Sequence, residues 1–283
     1  MTLCFLVANA QENIYNTFKD TRVINSHSVE TLKKRSLDIR ITHRFGDLFG
    51  ANGGWPTFYG LEVAEDVMIG AEYGATDDLS IGLFRSAGAG SLKQLISPSV
   101  KYRILQQNTD NIPLSLTVVG IGSLSTMAKN ENAQGLNRFP KFAHRIVYTV
   151  QALAARKFGE RFSLQTGLSF NHRNLVESFD DNDIFSLTLA SRVQMTKVIA
   201  IIADLNLPLN GIRGVGAENS ENIPNYQPAF GIGFEFDTGG HVFQLNITNA
   251  TGILENDFIP YTDSVWADGG FRIGFTISRA FNL

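Results

Sequence analysis

The final residues of the chain alternate between apolar and polar side chains with a period of two. Between Gly269 and Leu283 the apolar series consists of Phe271, Ile273, Phe275, Ile277, Phe281 and Leu283. The intervening series consists of Arg272, Gly274, Thr276, Ser278, Ala280 and Asn282. Because successive side chains of a strand point to opposite faces, this stretch predicts a β-strand with one apolar and one polar face.

The same alternation recurs along the chain and predicts about twelve strands. The earlier strands are predicted near 36–45, 67–73, 79–83, 100–104, 114–122, 146–154, 162–170, 185–189, 199–207, 230–236 and 243–247. We interpret them as tilted strands that cross a membrane, which need roughly 9 to 11 residues each. The segment 199–207 departs from the pattern because it is apolar on both faces.

The predicted connections alternate in length along the chain. The short ones are 75–78, 108–113, 159–161, 194–196 and 237–240. The long ones are 46–66, 85–98, 122–144, 174–183, 208–227 and 249–268. Outer-membrane barrels have short periplasmic turns, longer external loops and an even number of strands. The chain is therefore predicted to form an all-β, transmembrane up-and-down antiparallel β-barrel in the outer membrane of a Gram-negative bacterium.

Composition narrows the alternatives to this fold. Hydrophobic residues make up 43% of the chain, yet no run approaches the roughly 18 to 20 apolar residues of a spanning helix. A soluble barrel or sandwich would turn its apolar face inward, but here charges cluster on the opposite face and aromatic residues fall near strand ends. The net charge of −3 gives no reason to expect nucleic acid as a partner.

The residues before the first strand divide into two segments. Residues 1–10 are predicted to be a residual signal peptide, because an apolar run ends in the small residues Ala8 and Ala10, although an ordinary apolar N-terminus is the alternative. Cys4 is the sole cysteine. Residues 11–32 form an N-terminal segment that could lie in the periplasm, enter the lumen as a plug or bind a partner, and residues 33–283 form the predicted barrel.

Several short stretches resemble one known family. They are Asn25–Leu32 (NSHSVETL), Ile41–Gly46 (ITHRFG), Glu72–Gly74 (EYG) with Asp77, Ser99–Arg103 (SVKYR), His241–Leu245 (HVFQL) and Ser278–Phe281 (SRAF). In these stretches the chain is similar to a family of Bacteroidota outer-membrane β-barrels that is catalogued as a domain of unknown function. The resemblance implies a membrane barrel and carries no particular activity.

The polar face of the strands carries charges of both signs. The charged residues predicted to line the lumen are Asp38, Arg40, Glu72, Lys101, Arg103, Glu235 and Arg272. One interpretation pairs these charges across a narrow interior, because an unpaired buried charge costs several kcal/mol. The other is a charged constriction that selects solutes. About twelve strands make a narrower barrel than the 16-to-18-stranded porins, so a filled lumen and a conducting lumen both stay open.

A second set of arginines follows histidines at three predicted strand ends. Arg44, Arg145 and Arg173 are predicted to form an external rim, with each arginine turned to the lumen and the preceding histidine turned to the membrane interface. The rim could attract anionic solutes or the phosphates of lipopolysaccharide, since guanidinium pairs well with phosphate. Alternatively, it is a polar edge at which amphipathic side chains reach the interface.

The sequence offers no convincing catalytic, metal or cofactor site. Ser169 and His172 lie on one predicted strand, but their opposite parity prevents a catalytic pair. His27 and Glu30 are too loosely spaced for a metal site. We therefore expect a passive channel for small solutes or the membrane scaffold of an envelope complex; a closed adaptor barrel and, less favoured, an outer-membrane hydrolase are the alternatives. Expected partners are outer-membrane lipids, lipopolysaccharide and, as a hypothesis, envelope proteins.

Overall fold

A closed barrel of twelve antiparallel strands forms the body of the molecule. The computed structural model describes residues 16–109, 111–132, 135–210 and 226–283. The strands are β1 Ser36–Phe45, β2 Ala64–Gly74, β3 Leu79–Ser86, β4 Leu95–Leu105, β5 Ser115–Ser125, β6 Ile146–Phe158, β7 Phe162–Arg173, β8 Asp183–Gln194, β9 Ile199–Pro208, β10 Ala229–Asp237, β11 Val242–Thr248 and β12 Arg272–Asn282. The predicted fold class is confirmed.

The barrel closes between its first and last strands. β1 pairs with β12 in register from Ser36 opposite Asn282 to Arg44 opposite Gly274. Every other strand pairs with its neighbours in sequence, so the topology is up-and-down. Closure gives each strand two hydrogen-bonded neighbours, which lipid requires because it cannot satisfy a free strand edge. The final strand thus completes the barrel.

In the part of the chain that the structure describes, helical structure is confined to the connections. The described helices are one α-helix, α1 Glu255–Tyr261, and the short 3-10 turns Trp55–Thr57, Leu136–Arg138, Phe142–Arg145 and Trp266–Asp268. None of these described helices has the length and apolarity needed to span a membrane. α1 lies in the connection between β11 and β12, and all its residues are buried.

Several strands are longer than the alternation predicts. β6 runs on to Phe158, because Arg156 and Lys157 continue the backbone pairing with β7 although they interrupt the apolar series. β8 covers Asp183–Gln194, since pairing with β7 and β9 extends beyond its apolar centre. Backbone pairing, rather than side-chain polarity, decides where a barrel strand ends.

The connections separate into two ends of the barrel. One end, which we term the loop end, holds 46–63, 87–94, 126–145, 174–182, 209–228 and 249–271, and the other, the turn end, holds 75–78, 106–114, 159–161, 195–198 and 238–241. The connection 106–114 is longer than the other turns, and Asn108 organises it by accepting backbone hydrogen bonds from Asn111 (2.8 Å) and Ile112 (2.9 Å). Short turns are periplasmic in bacterial barrels, so the loop end is external.

The outer wall of the barrel is apolar. Leu168 is 60% exposed and Leu83 is 58% exposed, on strands whose alternate residues are buried inside. Aromatic groups lie near both ends: His43 and Phe45 contact each other at the loop end, with 4.3 Å between their ring centroids, and Phe158 and Phe162 stack at the turn end, with 5.8 Å between theirs. An apolar band flanked by aromatic residues is the surface that a lipid bilayer solvates.

Candidate functional site: the barrel lumen

Residues 16–32 form a hairpin inside the barrel, which we term the lumen hairpin. The amide of Val23 donates to the Ser26 carbonyl (2.8 Å), and that of Ser28 donates to the Thr21 carbonyl (2.9 Å). Asn25 and Ser26 occupy the turn, as these residue types often do. Residues 17–29 are all buried except for the half-buried Lys19. Residues 1–10, the predicted signal peptide, and residues 11–15 lie outside the described part of the chain.

The first arm of the hairpin, which precedes the turn, is held by a buried cluster of charges. Asp20 pairs with the guanidinium of Arg40, whose Nη1 donates to Asp20 Oδ2 at 3.0 Å. Asp38 lies on the same strand and contacts Arg40 at 3.2 Å. Ser278 Oγ donates to the Asp20 carboxylate at 3.1 Å. Two of the residues predicted to line the lumen thus lie in one ion-pair network, and its third member comes from the hairpin.

Lys101 joins the hairpin to the wall in a different way. Its ammonium donates to the Thr21 carbonyl at 2.8 Å and to the Glu30 carbonyl at 3.1 Å, one on each arm. Lys101 therefore holds the two arms together, because a single ammonium bridges backbone groups of both. The predicted lumen residue Glu72 is also buried, and its Oε1 has no hydrogen-bond partner among the described residues.

The remaining predicted lumen charges make contacts away from the hairpin. Arg103 Nε donates to Asp78 at 3.0 Å in the turn between β2 and β3. Glu235 accepts from Arg192 at 2.8 Å. Arg272 donates to Ser264 Oγ at 2.8 Å near the loop end. The predicted set is inward-facing throughout, but the structure distributes it among several separate clusters.

The hairpin turn is bound by Asp204 of β9. Asp204 Oδ2 accepts from the amides of Asn25 (2.7 Å), Ser26 (2.8 Å) and Ile24 (3.3 Å), and Oδ1 accepts from Asn25 Nδ2 at 2.7 Å. Sequence reasoning missed this residue, because β9 reads as apolar on both faces. The sequence did contain a signal for it, which was a single aspartate within an apolar strand. Because a buried carboxylate needs hydrogen-bond partners, this aspartate predicts a polar group inside the barrel that contacts β9.

The opposite side of the hairpin is apolar and packs on an apolar part of the wall. Its side chains Phe18, Val23, Ile24 and Val29 form one buried cluster with Val119, Ile121, Leu153, Ala155, Ala190 and Ile202. The wall residues belong to β5, β6, β8 and β9. These contacts explain why Ile202 on the inner face of β9 is apolar: lipid covers the outer face of the strand, and the hairpin covers the inner one. Burying such side chains contributes roughly 1.5 to 3 kcal/mol each.

Helix α1 meets the hairpin from the loop end. Arg22 Nη2 donates to Glu255 at 3.0 Å and to the Ile253 carbonyl at 3.2 Å, and Arg22 Nη1 donates to His27 Nε2 at 2.9 Å. His27 Nε2 also lies 3.7 Å from the Glu255 carboxylate. The hairpin and α1 therefore form one continuous filling that runs through the lumen.

Asp257 attaches α1 to the connection between β3 and β4. Its carboxylate accepts from the amides of Ala89 (2.8 Å) and Gly90 (2.7 Å). Burial, together with the neighbouring Asp66 carboxylate, raises the pKa of Asp257 to about 7. Asp66 in turn accepts from the Ile253 amide at 3.0 Å. Two carboxylates thus hold α1 and the residues before it in place.

The three predicted rim arginines are bound to protein groups. Arg44 is 1% exposed, and it donates to Asn25 at 2.7 Å and to the Ala250 carbonyl at 2.8 Å, so it is not on an open rim. Arg44 lies at the loop end of β1 and faces the lumen as its parity predicts, but the hairpin and the last long connection cover this end of the strand.

Arg145 and Arg173 lie nearer the loops. Arg145 donates to the Met127 carbonyl at 2.6 Å and stacks 4.0 Å from the centre of the Phe139 ring. Arg173 donates to Asp180 at 2.7 Å. An open arginine-lined mouth is therefore not formed, because each guanidinium is engaged in a local contact.

Cavities remain on both sides of the filling. At the loop end a cavity of about 420 Å³ is lined by residues that include Asp47, Tyr261 and Arg272. At the turn end a cavity of about 200 Å³ is lined by residues that include Lys19 and Asp38. The hairpin and α1 lie between these spaces.

The residues considered for catalysis do not meet. Ser169 is buried in the lumen and accepts from Gln151 Nε2 at 2.8 Å, whereas His172 lies on the outer side, 2.5 Å from Asp183. Within the described residues no group of three or more His, Cys, Asp or Glu side chains could hold a metal ion.

The closed strand order, the apolar outer wall and the aromatic ends define an outer-membrane β-barrel. The chain belongs to the family described as membrane bound beta barrel domain (DUF5777), whose model matches residues 18–281. The match includes the lumen hairpin from Phe18 onward as well as the barrel.

Solved outer-membrane proteins are similar at low sequence identity. The COG4313 outer membrane channel from Pseudomonas putida F1 has 12% identity and a TM-score of 0.48, over 90% of this chain and 98% of that one. Omp33 from Acinetobacter baumannii has 8% identity and a TM-score of 0.40, over 88% and 99%. A Rh. blastica porin mutant has 12% identity and a TM-score of 0.33, over 84% and 66%. Among curated proteins, none matches the sequence.

Proposed function

We propose that this protein is a closed outer-membrane barrel that acts as the membrane scaffold of an envelope complex and does not conduct in its resting state. The observation that supports the proposal is the buried lumen hairpin, which is fixed to the wall by Asp20 with Arg40 and by Asp204. No catalytic role is proposed, because Ser169 and His172 lie on opposite faces of the wall. The family resemblance also supports an origin in the Bacteroidota.

The energetics favour a hairpin that stays in place. Withdrawing it would separate Asp20 from Arg40 and leave Asp204 without the backbone amides that it accepts from. Breaking one buried ion pair costs about 3 to 5 kcal/mol, which corresponds to roughly a hundredfold to a few thousandfold in population. An open lumen is then a rare state.

Planar-bilayer recordings of the purified full-length protein test this proposal. The wild type is expected to give no current steps, whereas Asp204→Ala, which releases the hairpin turn, is expected to give transient steps. Heat-modifiable gel mobility serves as the folding control for both proteins. Stable current steps from the folded wild type at low voltage would overturn the closed-barrel proposal.

A passive channel for small solutes is the second candidate, and two observations favour it. Cavities of about 420 and 200 Å³ open on the two sides of the filling. Gln151 Oε1 and Asn171 Oδ1 on the wall are buried and have no hydrogen-bond partner among the described residues. Buried polar groups of this kind are suited to water. Uptake of small sugars into proteoliposomes that hold the wild type would support this candidate over the scaffold.

A further inference from the structure

The external connections of the barrel are divided by charge. Connection 209–228 is left aside because most of it lies outside the described residues. Connections 46–63, 174–182 and 249–271 contain acidic residues and no lysine or arginine. Connections 87–94 and 126–145 contain five lysines and arginines, namely Lys93, Lys129, Arg138, Lys141 and Arg145, and Glu131 is their one acidic residue. Among these five connections, two neighbouring ones are therefore basic and the other three are acidic.

The two basic connections form one structural unit. Ser125 Oγ donates to the Lys93 carbonyl at 2.8 Å, and the Thr126 amide donates to the Gln94 carbonyl at 3.0 Å. Arg85 lies beside this unit on the lipid-facing side of β3, one residue from the strand's loop end, and its Nη1 donates to the Leu95 carbonyl at 3.3 Å. Positive charge is thus concentrated where the barrel wall meets the external membrane surface.

Most of this charge is not neutralised by the protein. Lys129 pairs with Glu131 at 2.9 Å, but Arg85, Lys93, Arg138 and Lys141 are exposed and form no salt bridge within the described part of the chain. We term these four residues the basic sector. Phe142, next to Lys141, is 68% exposed. Exposed aromatic rings are common at the level of lipid headgroups.

A groove on the outer wall lies below the basic sector. Gly120 and Gly122 occupy the lipid-facing side of β5, and no atom lies within 4 Å of a Cβ added at either position. Val100 on β4 and Val150 on β6 are paired with Gly120, and Tyr148 on β6 is paired with Gly122. These flanking residues are 50%, 47% and 40% exposed, respectively. The missing side chains leave an apolar groove over β5, between the side chains of β4 and β6.

We propose that the basic sector and this groove together bind a phosphorylated lipid of the outer leaflet. Phosphates pair with Arg85, Lys93 and Lys141, because charge-assisted hydrogen bonds from guanidinium and ammonium groups favour phosphate. One acyl chain lies in the Gly120–Gly122 groove. The proposal is independent of whether the lumen conducts, since both features are on the outer surface.

Native mass spectrometry of the full-length protein in neutral detergent, with bis-phosphorylated lipid A as the probe, tests the phosphate contacts. The variant Arg85→Gln/Lys93→Gln/Lys141→Gln is expected to bind lipid A at least roughly tenfold more weakly than the wild type, because several charge-assisted contacts are lost. The matched control Arg161→Gln/Lys197→Gln removes exposed charges from turn-end connections and is expected to bind like the wild type. Unchanged binding by the triple variant would overturn the proposal.

The groove is tested by the double variant Gly120→Leu/Gly122→Leu, whose new side chains enter open space. It is expected to bind lipid A more weakly and to bind inorganic pyrophosphate as the wild type does. If pyrophosphate displaces lipid A completely and the glycine variant binds lipid A normally, the site recognises free phosphate and the lipid proposal is wrong. Equal binding of phosphatidylglycerol and lipid A by the wild type would also contradict it.

Folding of every variant is checked by heat-modifiable gel mobility. If the triple variant does not fold, Lys141→Gln alone and a salt titration of the wild type replace it. Phosphate contacts with exposed side chains weaken as salt rises, because screening is strong at the surface. Lipid A binding that is insensitive to both changes would overturn the proposal.

Discussion

The two sides of the lumen wall hold the same hairpin by different physical means. On β1 and β4, Arg40 and Lys101 bind the hairpin through a carboxylate and backbone carbonyls. On β5, β6, β8 and β9 the wall contacts the arms of the hairpin through apolar side chains such as Leu153 and Ile202, and Asp204 of β9 adds hydrogen bonds to the turn. Ion pairs and hydrogen bonds are directional, whereas apolar contacts are not. The ion pairs and hydrogen bonds therefore set the position of the hairpin, and the apolar contacts add to the strength with which it is held.

The largest effect is expected on the charged side. Arg40→Met leaves the Asp20 carboxylate buried without its cation, which should lower the free energy of unfolding by about 3 to 5 kcal/mol. Urea unfolding of the protein refolded into detergent micelles measures the change. The double variant Arg40→Met/Asp20→Asn removes both charges and should recover most of the loss. Equal losses in the single and double variants would show that the ion pair does not position the hairpin.

A somewhat smaller effect is expected on the apolar side. Ile202→Ala removes buried methyl groups from the cluster with the hairpin and should cost about 2 to 4 kcal/mol, independent of salt. The matched control is Ile201→Ala, its neighbour on the lipid-facing side, which should cost less because lipid can occupy the space. The same urea titration compares them. If Ile201→Ala is as costly as Ile202→Ala, the hairpin does not pack tightly on this side.

The smallest effect concerns the attachment of α1 at the loop end. Asp257 has a pKa near 3.8 when exposed and about 7 when docked, so its protonated form stabilises docking at low pH. Raising the pH from about 6 to 8 should weaken docking by about 1.4 kcal/mol, or tenfold. The hydrogen-exchange protection of the Ala89 and Gly90 amides, which donate to Asp257, measures the strength of docking. The substitution Asp257→Asn should abolish the pH dependence of this protection. Protection that rises with pH in the wild type would contradict the assignment.

The barrel wall, with its lipid-facing and inward-facing sides, could be predicted from local sequence. The period-two alternation of β12 indicated which side chains face inward, including Arg272 and Thr276, because lipid imposes one rule on the whole outer surface. The alternating connections indicated the two ends of the barrel. Local pattern failed at strand boundaries such as that of β8, because backbone pairing continues past the apolar residues.

The contents of the lumen could not be predicted in the same way. Asn25 and Asp204 are in contact although 179 positions separate them, and no local pattern links such residues. The apolar residue Ile202 on the inner face of β9 was a visible anomaly, but its cause was a hairpin at the other end of the chain. Arg40 and Lys101 were recognised as lumen residues, whereas their partners depend on the path of residues 16–32.

Thiol labelling of the hairpin turn tests the central claim most directly. Ser26 in the hairpin turn is fully buried against β9, whereas Lys93 is exposed at the loop end. In a Cys4→Ser background, Ser26→Cys should resist a small maleimide until the barrel is unfolded, and Lys93→Cys should react at once. Reaction of Ser26→Cys in the folded barrel as fast as that of Lys93→Cys would show that the hairpin does not fill the lumen.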